Sequence, residues 1–279
     1  GGSFTTAISA FRLFTWGVNS NRQIGDNSTI TRSSPVQIAN ATSFTTVSAG
    51  FDHALGIDNL GRLYTWGNPN AITYTPGSFV QSWSQIAEGA SFSVALRSDG
   101  LIYAWGNNTY GQIGIGDVLA RSSPTLVTTG SFTQVAAGQF TSYAVRSDNI
   151  LFGWGIGTSG ELGDNTAISK SAPIQISTNV GKVYASASQA FYTDTSGQLY
   201  GWGWNVNGQI GDNTSITKSS PVLVSTSSWA VISNGVSFTT GISNNRLFVW
   251  GINDKFQLGT GNTQSRSSPI QIAGTQSFT

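Results

Sequence analysis

The 279-residue chain carries only 9% charged residues and a net charge of +1, its 13 basic side chains scattered singly, so no polybasic surface exists to grip phosphates and nucleic acid is not an expected partner. Cysteine is absent and histidine occurs once, which removes disulfides and thiolate chemistry and leaves almost no material for zinc sites or histidine triads. What remains, 38% hydrophobic with 34 glycines, suits a β-rich, turn-rich chain whose surface is wetted by Ser, Thr, Asn and Gln.

In chain order, one unit recurs six times. The opening Gly1-Gly2-Ser3-Phe4 aligns with the start of a third strand, and Trp16-Gly17 ends a fourth. The pair returns at Trp66-Gly67, Trp105-Gly106, Trp154-Gly155, Trp202-Gly203 and Trp250-Gly251. Nine residues after five of these tryptophans stands a glycine behind Ile or Leu: Gly25, Gly114, Gly163, Gly211 and Gly259. Nineteen residues after the same five stands Pro35, Pro124, Pro173, Pro221 or Pro269. In the second unit Pro76 follows Trp66 by only ten residues, which reads as one lost loop in a kept frame. The closing Ser277-Phe278-Thr279 aligns with a second strand, so head and tail are complementary parts of one unit. A blade shared between the termini closes a circle; equally, the chain is a cut from a longer array. Position 1 is not methionine, as for a chain that begins after a processing point or is an excerpt, and no apolar run approaches the ~20 residues of a spanning helix.

Each unit reads as four short strands. The proline lacks a backbone donor and favours an edge position. Next comes an aromatic followed three residues on by a β-branched residue, as in Phe44 and Val47, Trp83 and Ile86, Phe132 and Val135, Trp229 and Ile232. Three residues apart on a regular strand means opposite faces, so this strand is expected to need apolar contact on both sides. Tight turns are expected at Asp99-Gly100, Ser196-Gly197 and Asn244-Asn245, whose residues tolerate positive φ. The fold expected is all-β: a β-propeller of four-stranded antiparallel blades, six repeats, forming one domain over 1–279. An open solenoid would expose an apolar face at each end.

The unit running Leu199-Tyr200-Gly201-Trp202-Gly203-Trp204-Asn205-Val206-Asn207-Gly208-Gln209-Ile210-Gly211-Asp212, then Lys218-Ser219-Ser220-Pro221-Val222, resembles the regulator-of-chromosome-condensation repeat. The resemblance covers every unit, the second incompletely. It implies a propeller that serves as a hub for protein partners, in a family whose members include exchange factors for small GTPases, a plant ultraviolet-B photoreceptor and an inhibitor of β-lactamases. Eukaryotic members usually have seven blades where six units stand here, which weakens any transfer of exchange activity. The photoreceptor's tryptophans interleaved with arginines have no counterpart here.

His53 beside Asp52 has the composition of a general base, but sister units place Phe92 and Thr141 there, so a structural strand role is expected. Asp26, Asp164 and Asp212 follow the loop glycines; Asx turns account for them without calcium. Arg32, Arg121, Lys170, Lys218 and Arg266 each stand three residues before a proline. They offer either a ring of charge for an acidic partner or, with Asp26, Asp117, Asp164 and Asp212 nearby, neutralisation within each loop, the use that the spacing favours. Trp204 falls in a loop where sister units carry Val18, Asn68, Asn107, Ile156 and Ile252, and is a candidate contact. With only Glu88 and Glu161 as glutamates, convergent carboxylates for a glycosidase are not expected. The functional expectation is a non-catalytic protein-interaction or structural module needing no cofactor or metal, displayed outside the cell, on a cell surface or on a virus particle. The alternative is a regulatory binding protein such as an exchange factor or enzyme inhibitor.

Overall fold

A computed structural model of the chain describes residues 3–39, 42–67, 82–272 and 277. Every regular element among them is a strand, and the strands form six antiparallel sheets. The first holds β1 (Phe4–Ser9), β2 (Arg12–Gly17) and β3 (Arg32–Ile38), and the second β4 (Phe44–Ala49), β5 (His53–Asp58) and β6 (Leu63–Gly67). The third holds β7 (Trp83–Glu88), β8 (Phe92–Arg97), β9 (Ile102–Gly106) and β10 (Arg121–Thr128); the fourth holds β11 (Phe132–Ala137), β12 (Thr141–Arg146), β13 (Leu151–Gly155) and β14 (Lys170–Ser177). The fifth holds β15 (Val180–Ser186), β16 (Gln189–Asp194), β17 (Leu199–Gly203) and β18 (Lys218–Ser225); the sixth holds β19 (Trp229–Asn234), β20 (Phe238–Ser243), β21 (Arg246–Gly251) and β22 (Arg266–Gln271). Four sheets are complete with four strands. Pro76, and Phe278 and Thr279 of the expected shared blade, lie outside the described residues.

These sheets are the blades of a β-propeller. In β8, Val94 and Leu96 join a core with Phe132, Val135 and Trp154 of the fourth sheet, whereas Ala95 between them joins Leu55, Ile57 and Leu63 of the second. Alternation along a strand thus buries both faces of one sheet against two different neighbours. Further cores join the first sheet to the second, the fourth to the fifth and the fifth to the sixth. Among the described residues no such core joins the sixth sheet to the first.

One expectation is corrected. The aromatic and β-branched residues of the first strand in the second, third, fourth and sixth sheets do not face opposite ways: the register shifts between Phe132 and Gln134, as it does between Phe44 and Thr46, between Trp83 and Gln85 and between Trp229 and Val231. This β-bulge absorbs one residue, so Phe132 and Val135 point into the same core. Both faces are still buried, but other strands supply the second.

The Trp-Gly glycine is required by a close approach. Gly17, Gly67, Gly106 and Gly251 hold φ between +104° and +116°, and a Cβ there would lie 2.5–2.6 Å from the backbone that opens the adjoining strand.

Candidate functional site: the loop face and the inter-sheet latch

The five described loops from a Trp-Gly to the following proline strand sit on one face of the propeller, because each leaves its sheet at the same point. A buried asparagine organises four of them. Asn205 receives the Ile210 amide on its side-chain oxygen at 2.9 Å and donates from its nitrogen to Asp212, Thr214 and the Ile216 carbonyl. Asn19, Asn108 and Asn253 do the same in their loops. A buried amide carrying this many bonds fixes the loop path. The position went unused in the sequence reading, although its signal, an asparagine three residues after Trp-Gly's tryptophan, is present in those four units.

The loops of the third, fourth and fifth sheets then latch onto the next sheet. The Trp154 indole donates to the Gln112 carbonyl at 2.9 Å, Trp202 to that of Glu161 at 2.8 Å and Trp250 to that of Gln209 at 2.8 Å. The same carbonyls also accept from Ser142, Tyr143 and Thr239. The loop glycines Gly114, Gly163 and Gly211 sit against these indole rings. A second contact comes from the backbone: Gly116, Asn165 and Asn213 each donate at 2.7 Å to Ser171, Ser219 and Ser267 of the next sheet's last strand.

The basic residues open the proline strands β3, β10, β14, β18 and β22, and four of the five meet a carboxylate of the loop that leads into their strand. Arg32 approaches Asp26 at 2.6 Å, Arg121 approaches Asp117 at 2.6 Å, Lys218 approaches Asp212 at 3.0 Å and Lys170 approaches Asp164 at 3.5 Å. Burial works to raise the Asp26 carboxyl, but the Ser28 hydroxyl and the Arg32 guanidinium hold it down at about 2. Arg266 differs: position 260 is threonine, and the Arg266 Nε is buried without a hydrogen-bond partner. The charges therefore form four local pairs, and among the described residues Arg266 has no ion pair.

Apolar side chains stand out from the same loops. Ile30, Leu119, Ile168 and Ile216, each two residues before the basic residue, are 60–66% exposed. Trp204 is 45% exposed, with Val206 and Tyr110 also open to solvent.

His53 is buried, as a strand residue is expected to be, but it is not a bland one. Its Nε2 lies 2.5 Å from Glu88 Oε2 across the junction of the second and third sheets, its Nδ1 lies 3.3 Å from Asp52, and Ser93 donates to the same Glu88 oxygen at 2.8 Å. Glu88 Oε1 has no partner. Glu161 sits elsewhere, in the loop of the fourth sheet, taking the Ser159 amide at 2.7 Å, so the two glutamates do not converge. Among the described residues no group of three or more His, Asp or Glu is arranged to hold a metal ion.

Six sheets stacked face to face, three of their junctions locked by an indole and a loop carbonyl, define a propeller of repeated Trp-Gly blades. The regulator of chromosome condensation (RCC1) repeat model matches residues 12–57, 99–145, 196–242 and 244–279, more than half of the chain, and a second model of the same repeat matches 44–71, 83–112 and 132–161. The chain belongs to the RCC1-repeat family. It is 30% identical over 128 residues to the ultraviolet-B receptor UVR8 of Arabidopsis thaliana, a stretch that is 40% of this chain and 28% of the receptor. It is 28% identical over 133 residues to the human probable E3 ubiquitin-protein ligase HERC6, 42% of this chain and 13% of the ligase. The matched stretches span under a third of these relatives. Among solved structures, Prp20p of Saccharomyces cerevisiae superposes with a TM-score of 0.86 at 19% identity, covering 99% of this chain and 76% of that one. Human WBSCR16 superposes with a TM-score of 0.84 at 22% identity, covering 98% and 80%.

Proposed function

We propose that this propeller is a non-catalytic protein-interaction module that meets its partner through the loop face and works on a cell surface or a virus particle. One observation carries the interaction: four loops present an exposed aliphatic residue at the same place, two residues before the basic residue. Apolar side chains clustered on one face, rimmed by Asn, Ser and Thr, have the character of a protein contact surface. The neighbouring cations are paired within their own loops, so hydrophobic and aromatic contact, centred on Trp204, supplies the affinity. Surface or particle display is supported by the sparse charge and the Ser/Thr/Asn-rich exterior.

The test is a photoreactive phenylalanine at position 204, with Asn244, in a hairpin turn of the sixth sheet, as control. One protein should crosslink from 204 and not from 244, and Ile168→Ser with Ile216→Ser should abolish the crosslink at an unchanged melting temperature. Equal crosslinking from both positions would sink the reading, and protection from external protease on intact cells or particles would sink the display.

A second reading, a regulatory binding protein such as an exchange factor or enzyme inhibitor, is favoured by the fold shared with Prp20p, whose structure is described with its binding to Gsp1p and histones. Nucleotide release from small GTPases separates the two: acceleration supports the second reading alone.

A further inference from the structure

We infer that the cleft between the third and fourth sheets binds a small uncharged molecule with an apolar body and one oxygen acceptor. The inference goes beyond the loop-face reading and uses none of the residues invoked for it.

The cleft has a volume of about 350 Å³, at the lower end of the ~300–1,000 Å³ usual for ligand pockets. Ile115, Val127, Phe132, Phe152 and Pro173 give it an apolar wall, and the Arg146 side chain borders it. Two departures of the third loop from its sisters shape it. Ten residues after the Trp-Gly tryptophan, three sister loops carry Asp26, Asp164 and Asp212, each paired with the basic residue that follows the loop. In the third loop Asp117, two residues further on, takes that role toward Arg121, and position 115 is an isoleucine packed on the core of the junction. The next residue is Asn27, Asn165 or Asn213 in the sisters, at φ of 60–63°, and Gly116 here, at φ 90°. A Cβ at Gly116 would meet nothing within 4 Å, so the edge of the cleft stays open where the sisters carry a side chain.

The polar end is a guanidinium with one edge unused. In the third sheet Arg97 lies 5.1 Å over the Tyr103 ring, pairs with Asp99 through Nε and Nη2, and donates Nη1 to the Tyr103 hydroxyl at 2.8 Å. In the fourth sheet Arg146 lies 4.9 Å over the Phe152 ring and pairs with Asp148 through Nε and Nη2 in the same way. Phenylalanine has no hydroxyl, and among the described residues Arg146 Nη1 has no acceptor. Arg146 and Phe152 both line the cleft, so the place of the missing oxygen is at its wall.

The same comparison fixes the class of ligand. Asp148 already neutralises Arg146, as Asp99 neutralises Arg97, and the oxygen that Arg97 takes is uncharged. A ketone, alcohol or lactone oxygen accepts from Nη1 while the apolar body displaces water from Ile115, Val127 and Phe132. A carboxylate there would be repelled by Asp148.

The experiment titrates the whole chain with benzylacetone, with hydrocinnamate and butylbenzene as controls, read by amide chemical shifts. Benzylacetone should give saturable shifts centred on Ile115, Gly116 and Arg146, and hydrocinnamate should bind more weakly. Arg146→Met keeps a stem over Phe152 and drops the donor; Phe152→Tyr supplies Arg146 with the hydroxyl that Arg97 has. Each should weaken the ketone roughly tenfold, as losing one hydrogen bond from a charged donor does, without lowering the melting temperature. Butylbenzene, which has no acceptor, should bind Arg146→Met as it binds the native chain. No saturable shift, shifts spread equally over every junction, or hydrocinnamate binding as tightly as the ketone would overturn the inference. So would equal losses for the ketone and butylbenzene in Arg146→Met, since the arginine would then be wall alone.

Discussion

His53 Nε2 and Glu88 Oε2 lie 2.5 Å apart in the buried junction of the second and third sheets, with side chains 3% and 0% exposed. At the next junction the corresponding residues are Phe92 and Ala137, an apolar pair in an otherwise equivalent place.

That comparison predicts the energetics. Removing one partner, as in His53→Ala or Glu88→Ala, strands a buried polar group and should cost about 3–5 kcal/mol. Replacing the whole cluster by His53→Phe, Glu88→Ala and Ser93→Ala, which also removes the hydroxyl that donates to Glu88, should be neutral or stabilising by about 1–4 kcal/mol. Urea unfolding midpoints of the three proteins decide. A triple variant as unstable as the singles would show that the site cannot repack.

The same pair sets a pH dependence. Burial disfavours the imidazolium, but the Glu88 and Asp52 carboxylates overcome it and push the His53 pKa up to about 10. A histidine whose pKa is higher folded than unfolded binds its proton more tightly in the native state. Its contribution is full below the ordinary value near 6.5 and drains away as pH rises through about 10. The native chain should therefore lose unfolding free energy between pH 7 and 10.5, while the triple variant stays nearly flat over that window. Parallel slopes would remove His53 as the cause.

How much of this was legible in the sequence follows from which signals repeat. Trp16, Trp66, Trp105, Trp154, Trp202 and Trp250 recur in frame, and a feature copied six times can be read without coordinates. The bulge at Phe132 was not legible, because spacing along a chain does not reveal where a ladder slips by one residue. Nor was the His53 and Glu88 contact: each occurs in one unit only, 35 residues apart, and nothing in a single copy says that the end of one sheet's first strand meets the start of its neighbour's second. The charges were legible in part. Aspartates near Arg32, Arg121, Lys170 and Lys218 foretold local pairing, whereas the meaning of Thr260 emerges only once Arg266 is seen without a partner.

The buried asparagines should act as loop keystones. Asn205→Ala leaves the buried Ile210 amide and the Ile216 carbonyl without their partner, for a cost of about 1–3 kcal/mol. Amide exchange at Ile210 should accelerate together with that at Asn213, whose bond to Ser267 depends on the same loop path. If only Ile210 responds, the loop is held by its latch rather than by Asn205.

The latch itself predicts an asymmetry between tryptophans of identical sequence context. Trp250 is fully buried, donates to Gln209, and packs edge-on against Phe191 and Trp229 at ring distances of 6.2 and 5.6 Å. Trp16 occupies the same place in its unit but is half-buried, and among the described residues its indole donates no hydrogen bond. Trp250→Ala should therefore cost about 3–5 kcal/mol, the range for truncating a large buried aromatic, and orphan the Gln209 carbonyl in part, since Thr239 still donates to it. Trp16→Ala should cost less than half as much, because its ring keeps a solvent-facing side and loses no hydrogen bond. Thermal unfolding of the two variants measures the difference. Equal losses would mean that Trp16 is held in solution as firmly as Trp250, by contacts other than an indole hydrogen bond.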